Sequence, residues 1–184
     1  MKKSTKFLSA ILMAFAMAAS FTLTSCGDDD DDPKLPDTPT TDNSIATVEI
    51  DYSVNLAQTY FDFFDITVEY TDKNGKNITE TITANWSHSG SMAYKDAPET
   101  FICNVTATPK ANMPEIESGK DYDCNCKILA TVSGKSAAGV VNQHFGLNGS
   151  NNTTGSKSAY EMSKYITREH VLLNYTYTKE PADI

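Results

Sequence analysis

Apolar and polar residues alternate strictly along two early segments of the chain. In the first segment, apolar residues occupy every second position: Val48, Ile50, Tyr52, Val54 and Leu56. The second segment covers residues 64–71 with the same period. Because successive side chains of a strand point to opposite faces, a period of two predicts strands with one buried face.

A tight turn is predicted directly after the second segment. The pair Asn74-Gly75 tolerates the positive φ angles that short hairpin connections require. A returning strand is predicted from Ile78 to Trp86, with Glu80 interrupting its apolar face. Residues 87–98 are mostly polar and are predicted to form a loop.

Further strands are predicted from alternation over residues 101–107, 122–132, 139–147 and 171–177. The polar residues 148–158 predict a long loop. At its end, Ser158 and Glu161 have the spacing of a capping box, which indicates one helical turn.

About seven strands with one apolar face each must cover those faces by packing on one another. The pattern therefore predicts an all-β domain over residues 45–184. Its architecture is a single antiparallel β-sandwich, with a closed β-barrel as the alternative. This length is sufficient for one hydrophobic core.

One short motif resembles a known family of sandwiches. In the segment IESGKDY, Ile116 and Gly119 precede Tyr122. This resembles the tyrosine corner of immunoglobulin-like and fibronectin type III domains, in which the tyrosine hydroxyl bonds back to the main chain. The resemblance implies an immunoglobulin-like sandwich, although Trp86 ends its predicted strand instead of standing in the middle of it.

The N-terminus has the layout of a secretory signal peptide. A basic start is followed by the uncharged apolar run of residues 7–19. That run is shorter than the roughly 20 residues that span a membrane, so residues 1–25 are predicted to be a signal peptide rather than a permanent span. The next residues, Leu23-Thr24-Ser25-Cys26, resemble the lipobox of bacterial lipoproteins. The resemblance implies cleavage before Cys26 and a lipid on its thiol, which is a good nucleophile as thiolate.

Five aspartates, residues 28–32, follow the lipobox cysteine. Removal of residues 1–25 takes away three lysines and no acid, so the formal charge changes from -9 to -12. The acidic run resembles the export signal of surface lipoproteins of Gram-negative bacteria. It implies an outer-membrane protein that faces the cell exterior, with the periplasmic face as the alternative. Residues 26–44, acidic and rich in proline, are predicted to be a lipidated, disordered tether. Nucleic acid is excluded as a partner because the mature chain is strongly negative and has no basic patch.

Three cysteines remain after Cys26. Cys103, Cys124 and Cys126 fall on apolar strand faces. If the strands around residues 101–108 and 122–133 are neighbours, Cys103 can form a disulfide with Cys126 or with Cys124. Buried free thiols are the alternative. The spacing does not match a metal knuckle, so we predict neither a metal site nor a cofactor.

The sequence contains no nucleophile elbow, no zinc-protease motif and no phosphate-binding glycine loop. The aromatic residues are the strongest indication of binding. Phe61 and Phe63 have the parity opposite to the apolar face of their strand, and Tyr94 lies in a predicted loop. These rings are candidates for stacking on a ligand, with core burial as the alternative for Phe61 and Phe63. Tyr160 and Tyr165 could add to such a surface.

These features predict a membrane-anchored, cell-surface lipoprotein that is not an enzyme. Its sandwich would bind or scaffold an extracellular glycan or protein. Two alternatives remain open at this point. One is a small hydrolase displayed on the same tether, and the other is an assembly subunit that exchanges a strand with a neighbour.

Overall fold

The computed structural model of the protein describes residues 44–179. The predictions for the signal peptide, for Cys26 and for the acidic tether up to residue 43 lie outside the described residues. The last residues, 180–184, lie outside them as well.

Strands make up most of the described chain. They are β1 (Ile45–Leu56), β2 (Phe64–Thr71), β3 (Asn77–Ile82), β4 (Trp86–Ala93), β5 (Thr100–Pro109), β6 (Asp121–Asp123), β7 (Cys126–Ser136), β8 (Val141–Asn142), β9 (Asn148–Thr153), β10 (Ser156–Ser158) and β11 (His170–Thr178). The helices are α1 (Gln58–Phe63), a 3-10 turn (Tyr94–Asp96) and α2 (Ala159–Tyr165). Neither α-helix of residues 44–179 has the length and apolarity to cross a membrane.

Two antiparallel sheets form a sandwich. The first sheet has the order β4-β1-β7, and both β8 and β9 pair with the far side of β7. The second sheet has the order β11-β5-β2-β3. Strands β6 and β10 form a small separate ribbon. Neither sheet closes on itself within residues 44–179, so the predicted sandwich is confirmed and the barrel is not observed.

The central strands follow the predicted alternation. On β1, Val48, Ile50, Tyr52 and Val54 are buried, and the residues that alternate with them, Glu49, Asp51 and Ser53, are partly or fully exposed to solvent. In the second sheet, Val68 on β2 stands opposite Val105 on β5, and both side chains are buried. Burial of these apolar faces between the sheets is the main stabilising contribution to the fold.

The predicted tyrosine corner is present, but the strand order is not the immunoglobulin order. The backbone N–H of Glu117 donates a hydrogen bond of 2.8 Å to the Tyr122 hydroxyl. In immunoglobulin constant-type domains the first two strands share a sheet, whereas here β1 and β2 lie in different sheets. The motif therefore identifies a sheet corner and not the family topology.

The predicted strand from Ile78 to Trp86 is wrong in its second half. Strand β3 ends at Ile82, and residues 83–85 carry the chain across to the first sheet. There Asn85 Oδ1 accepts a hydrogen bond of 2.9 Å from the Leu56 N–H. Trp86 begins β4, so most of the loop predicted at residues 87–98 is an edge strand of the first sheet.

The predicted loop at residues 148–158 is also wrong, because β9 and β10 lie there. At the C-terminus, a bulge between Val171 and Leu173 shifts the alternation, so Leu172 and Leu173 are both buried and Val171 is exposed. The capping box is confirmed. Ser158 and Glu161 exchange both of its hydrogen bonds, and α2 continues for seven residues instead of one turn.

Two margins join the sheets along their sides. At the β9–β11 margin, Asn151 Nδ2 donates to the Leu172 carbonyl (2.7 Å), and the Tyr175 hydroxyl donates to the Leu147 carbonyl (2.6 Å). At the β3–β4 margin, Trp86 Nε1 donates to Glu80 Oε1 (2.8 Å). These margins are the sides at which the core would otherwise be open to water.

Candidate functional site

The structure buries the two phenylalanines that were candidates for stacking on a ligand. Phe61 and Phe63 are 8% and 2% exposed, so the stacking prediction is corrected in favour of core burial. The physical reason is α1. A helical turn replaces the extended chain there, and strand parity no longer decides which side chains point inward. Phe63 packs edge-on against Tyr122, with ring centroids 5.6 Å apart.

Tyr94 is half-buried and packs within the domain. Its ring meets Phe145 edge-on at 5.7 Å, and Lys179 Nζ lies 4.8 Å from its centroid. The structure therefore does not bring Phe61, Phe63 and Tyr94 together into a ligand surface.

The three cysteines are buried free thiols. Cys103 lies on β5 in the second sheet, and Cys126 begins β7 in the first sheet. The predicted disulfide of Cys103 with Cys126 or Cys124 assumed that these two strands are neighbours. They lie in different sheets, so that assumption is wrong. Burial raises the pKa of Cys103 to about 12 and that of Cys126 to about 11. Thiols with such a pKa are poor nucleophiles at neutral pH.

Two histidines pack against aromatic rings. His88 contacts Tyr70 and lies nearly parallel to Trp86, with centroid distances of 4.7 and 6.2 Å. His170 stacks on Tyr165 at 3.8 Å and donates from Nε2 to the Tyr165 carbonyl. Within residues 44–179 no group of three or more histidine, cysteine or acidic residues has the geometry to hold a metal ion.

Acidic side chains collect at a small cavity near the tyrosine corner. The cavity has a volume of about 190 Å³, and five of its lining residues are carboxylates: Asp62, Glu115, Glu117, Asp121 and Asp123. Lys120 also lines it and pairs with Glu117 at 2.7 Å. This end of the domain presents negative charge to its surroundings.

A different surface forms around α2, and its local sequence explains its shape. The capping box of Ser158 and Glu161 starts the helix, and the fully buried Met162 anchors it to the core. With Met162 inward, Tyr160 faces solvent and is 70% exposed. Tyr165 at the helix end is half-buried, and its hydroxyl lies 3.4 Å from the Tyr60 hydroxyl.

Three cations surround these two tyrosines. Lys157 Nζ lies 4.5 Å from the centroid of Tyr165. Lys164 Nζ lies 4.0 Å from the centroid of Tyr160 and donates to its hydroxyl. Arg168 follows the helix and is exposed. We call these residues the α2 surface: Lys157, Tyr160, Lys164, Tyr165 and Arg168.

An open cleft runs beside the α2 surface. Its volume is about 380 Å³, and it is lined by Glu161, Lys164, Tyr165, Thr167 and Arg168. The half-buried Tyr165 ring is already in contact with other groups, because His170 stacks on it and Lys157 Nζ lies over it. Tyr160 is therefore the ring of this surface that is available to a ligand.

Sequence reasoning named Tyr160 and Tyr165 as additions to a surface, but it missed the cations. The signal that could have found them is the spacing of residues 157, 164 and 168 around a predicted helical turn in an otherwise acidic chain. No protein-family model, no curated protein and no solved structure matches this chain.

Proposed function

We propose that the protein is a lipid-anchored envelope protein whose β-sandwich binds an extracellular glycan at the α2 surface, without catalysing a reaction. The observation that carries the binding proposal is Tyr160. Its ring is 70% exposed, whereas Phe61, Phe63 and Tyr175 are buried. Exposed tyrosine rings offer an apolar face to sugar C–H groups and a polar edge for hydrogen bonds.

The proposed anchor rests on the sequence alone. The lipobox ends at Cys26, and the acidic run that follows it is the basis for proposing the outer face of the outer membrane. Whole-cell protease treatment of the native protein, beside a Cys26→Ala variant, tests the anchor. We expect surface cleavage of the native protein and its loss in the variant. An unmodified thiol at position 26 in the mature protein would refute the anchor.

Glycan binding is tested with the full mature chain on an array of extracellular polysaccharides, beside Tyr160→Ala. We expect binding that weakens in the variant, because the ring supplies the stacking face. A matched control is Tyr94→Ala, since Tyr94 is half-buried elsewhere in the domain. Binding that survives Tyr160→Ala unchanged would place the ligand away from α2 and refute this site.

A second candidate, an assembly subunit, is favoured by the edge of β4. Among residues 44–179 this strand pairs only with β1, and it is eight residues long and contains no Lys, Arg, Asp, Glu or Pro. Charges and prolines are the usual protection of an edge against pairing with another strand. Light scattering of the full chain and of Ser89→Lys would test it. A native oligomer that the variant dissociates supports the assembly function, and a native monomer refutes it.

A further inference from the structure

We infer that the α2 surface selects anionic glycans, those that carry carboxylate or sulfate groups, over neutral ones. The inference rests on the proposed glycan binding and names its ligand class. It depends on how the cations of this surface are partnered.

The cations of the α2 surface have no carboxylate partner. Elsewhere in the domain, Lys120 and Lys135 form ion pairs with Glu117 and Glu49 at 2.7 Å, and Lys179 pairs with Glu99 at 3.6 Å. Within residues 44–179, no acidic group lies within 4 Å of the charged atoms of Lys157, Lys164 or Arg168. In a chain of formal charge -9, residues 157–169 hold three cations and two acids, and this local formal charge of +1 is a reversal of sign.

The two nearby acidic side chains, Glu161 and Glu169, form hydrogen bonds with other residues. Glu161 Oε2 accepts hydrogen bonds of 2.8 Å from both the backbone N–H and the hydroxyl of Ser158. Glu169 Oε2 accepts from the Thr108 hydroxyl at 3.1 Å. Both carboxylates stay beyond ion-pair distance of the cations, although Glu161 also lines the cleft.

Two cations are held in place by aromatic contacts rather than by acids. Lys157 and Lys164 lie 4.5 and 4.0 Å from tyrosine centroids, a geometry in which the ring face attracts the ammonium without cancelling its charge. Arg168 adds a planar group that can hold a carboxylate or sulfate through two parallel hydrogen bonds. The cleft between Lys164 and Arg168 is therefore suited to an acidic substituent, while Tyr160 faces the sugar ring.

One other region of the surface disfavours an anion. The acidic cavity near the tyrosine corner carries five carboxylates, so a polyanion is repelled there and is directed towards α2. A neutral glycan carries no charge, so electrostatics would not direct it to either region.

The test is calorimetric binding of the full mature chain to matched polysaccharides. One pair is polygalacturonate and its methyl ester, and the other is dextran sulfate and uncharged dextran. We expect the charged member of at least one pair to bind at least about tenfold more tightly, since a hydrogen bond to a charged group contributes about 1.5 kcal/mol or more. Lys164→Ala and Arg168→Ala should each remove most of that preference. Lys95→Ala, an exposed lysine outside the surface, is the matched control.

The outcomes separate the two proposals. Equal binding of charged and neutral members, weakened by Tyr160→Ala, would overturn the anionic preference and keep glycan binding. Binding to none of the polysaccharides would overturn both. A preference that Lys95→Ala reduces as much as Arg168→Ala does would reflect general charge and overturn the inference. Binding to vesicles with anionic lipid, but to none of the polysaccharides, would overturn it in favour of a membrane surface.

Discussion

The two margins of the sandwich are closed in opposite ways. At the β9–β11 margin the two sheets approach each other closely. Gly149 has no side chain, and the Tyr175 ring fills the space beside it. At the β3–β4 margin the sheets meet through large groups, with Trp86 bonded to Glu80. A close approach tolerates no added atom, whereas a cluster of large side chains tolerates rearrangement. Substitutions at the β9–β11 margin should therefore lower the free energy of unfolding more than substitutions at the β3–β4 margin.

The largest effect is expected from Gly146→Ala, just before β9. Gly146 has φ +95°, and a Cβ there would lie 1.8 Å from the Val132 carbonyl oxygen. The clash is with backbone of β7, so the strand itself must move. We expect a loss of about 3 kcal/mol in the free energy of unfolding, measured by urea denaturation.

Gly139→Ala is the control for that prediction. It has a similar φ of +80°, but nothing lies within 4 Å of its Cβ position. We expect a loss of about 1 kcal/mol, the conformational cost alone. Equal losses for both variants would show that conformation, and not the close approach, limits this margin.

The second prediction compares one glycine from each margin. A Cβ at Gly149 would lie 2.4 Å from Cδ2 of the buried Tyr175, and one at Gly90 would lie 2.5 Å from Cβ of the exposed Lys73. We expect Gly149→Ala to cost about 2 kcal/mol, because a core ring must shift. Gly90→Ala should cost about 1 kcal/mol, since a surface turn can move. A larger loss for Gly90→Ala would reverse the comparison.

The third prediction concerns the Trp86–Glu80 hydrogen bond. A double-mutant cycle with Trp86→Phe and Glu80→Gln should give a coupling energy of about 1 kcal/mol, because the carboxylate accepts from the indole N–H inside a half-buried cluster. Urea denaturation followed by circular dichroism measures it without depending on Trp86 fluorescence. Additive losses in the two single variants would mean that the margin is held by ring packing alone.

The smallest effect is a difference in alkaline sensitivity. Burial raises the pKa of Tyr175 and of Tyr70 above the ordinary value, so the unfolded chain ionises first. Each contributes stability that is fully present below about pH 10 and is lost as the pH rises further, and for Tyr175 the loss is about 1 kcal/mol at pH 11. Tyr175→Phe should flatten the decline in unfolding free energy between pH 8 and 11 more than Tyr70→Phe, because its ring is 2% rather than 7% exposed. Equal slopes would contradict this.

The comparison also explains what sequence could predict. Strands β1, β2 and β5 were predicted correctly because each buries one face, and alternation records that burial directly. The β9–β11 margin carries no such pattern. Gly149 and Asn151 face inward on β9. Gly149 leaves space for the Tyr175 ring because it has no side chain, and Asn151 donates a hydrogen bond to the Leu172 carbonyl. Both residues favour a loop in isolation.

The site was less predictable than the fold, for a related reason. The sequence left both exposure and burial open for Phe61 and Phe63, because α1 is only six residues long and has no side-chain cap from which it could be predicted. The α2 surface depends on residues that approach each other only after β10 and α2 have formed. Lys157 and Tyr165 are eight positions apart in sequence, yet ammonium and ring lie 4.5 Å apart.

The central position of β1 has a mechanical consequence. The described chain enters the fold at Ser44, directly before a strand that is paired on both sides, with β4 over residues 47–54 and with β7 over residues 45–56. A pull on the preceding segment would load both ladders in shear along their length, so many hydrogen bonds would have to break together. An edge strand would peel away one bond at a time. A domain tethered through this end should therefore resist drag forces well.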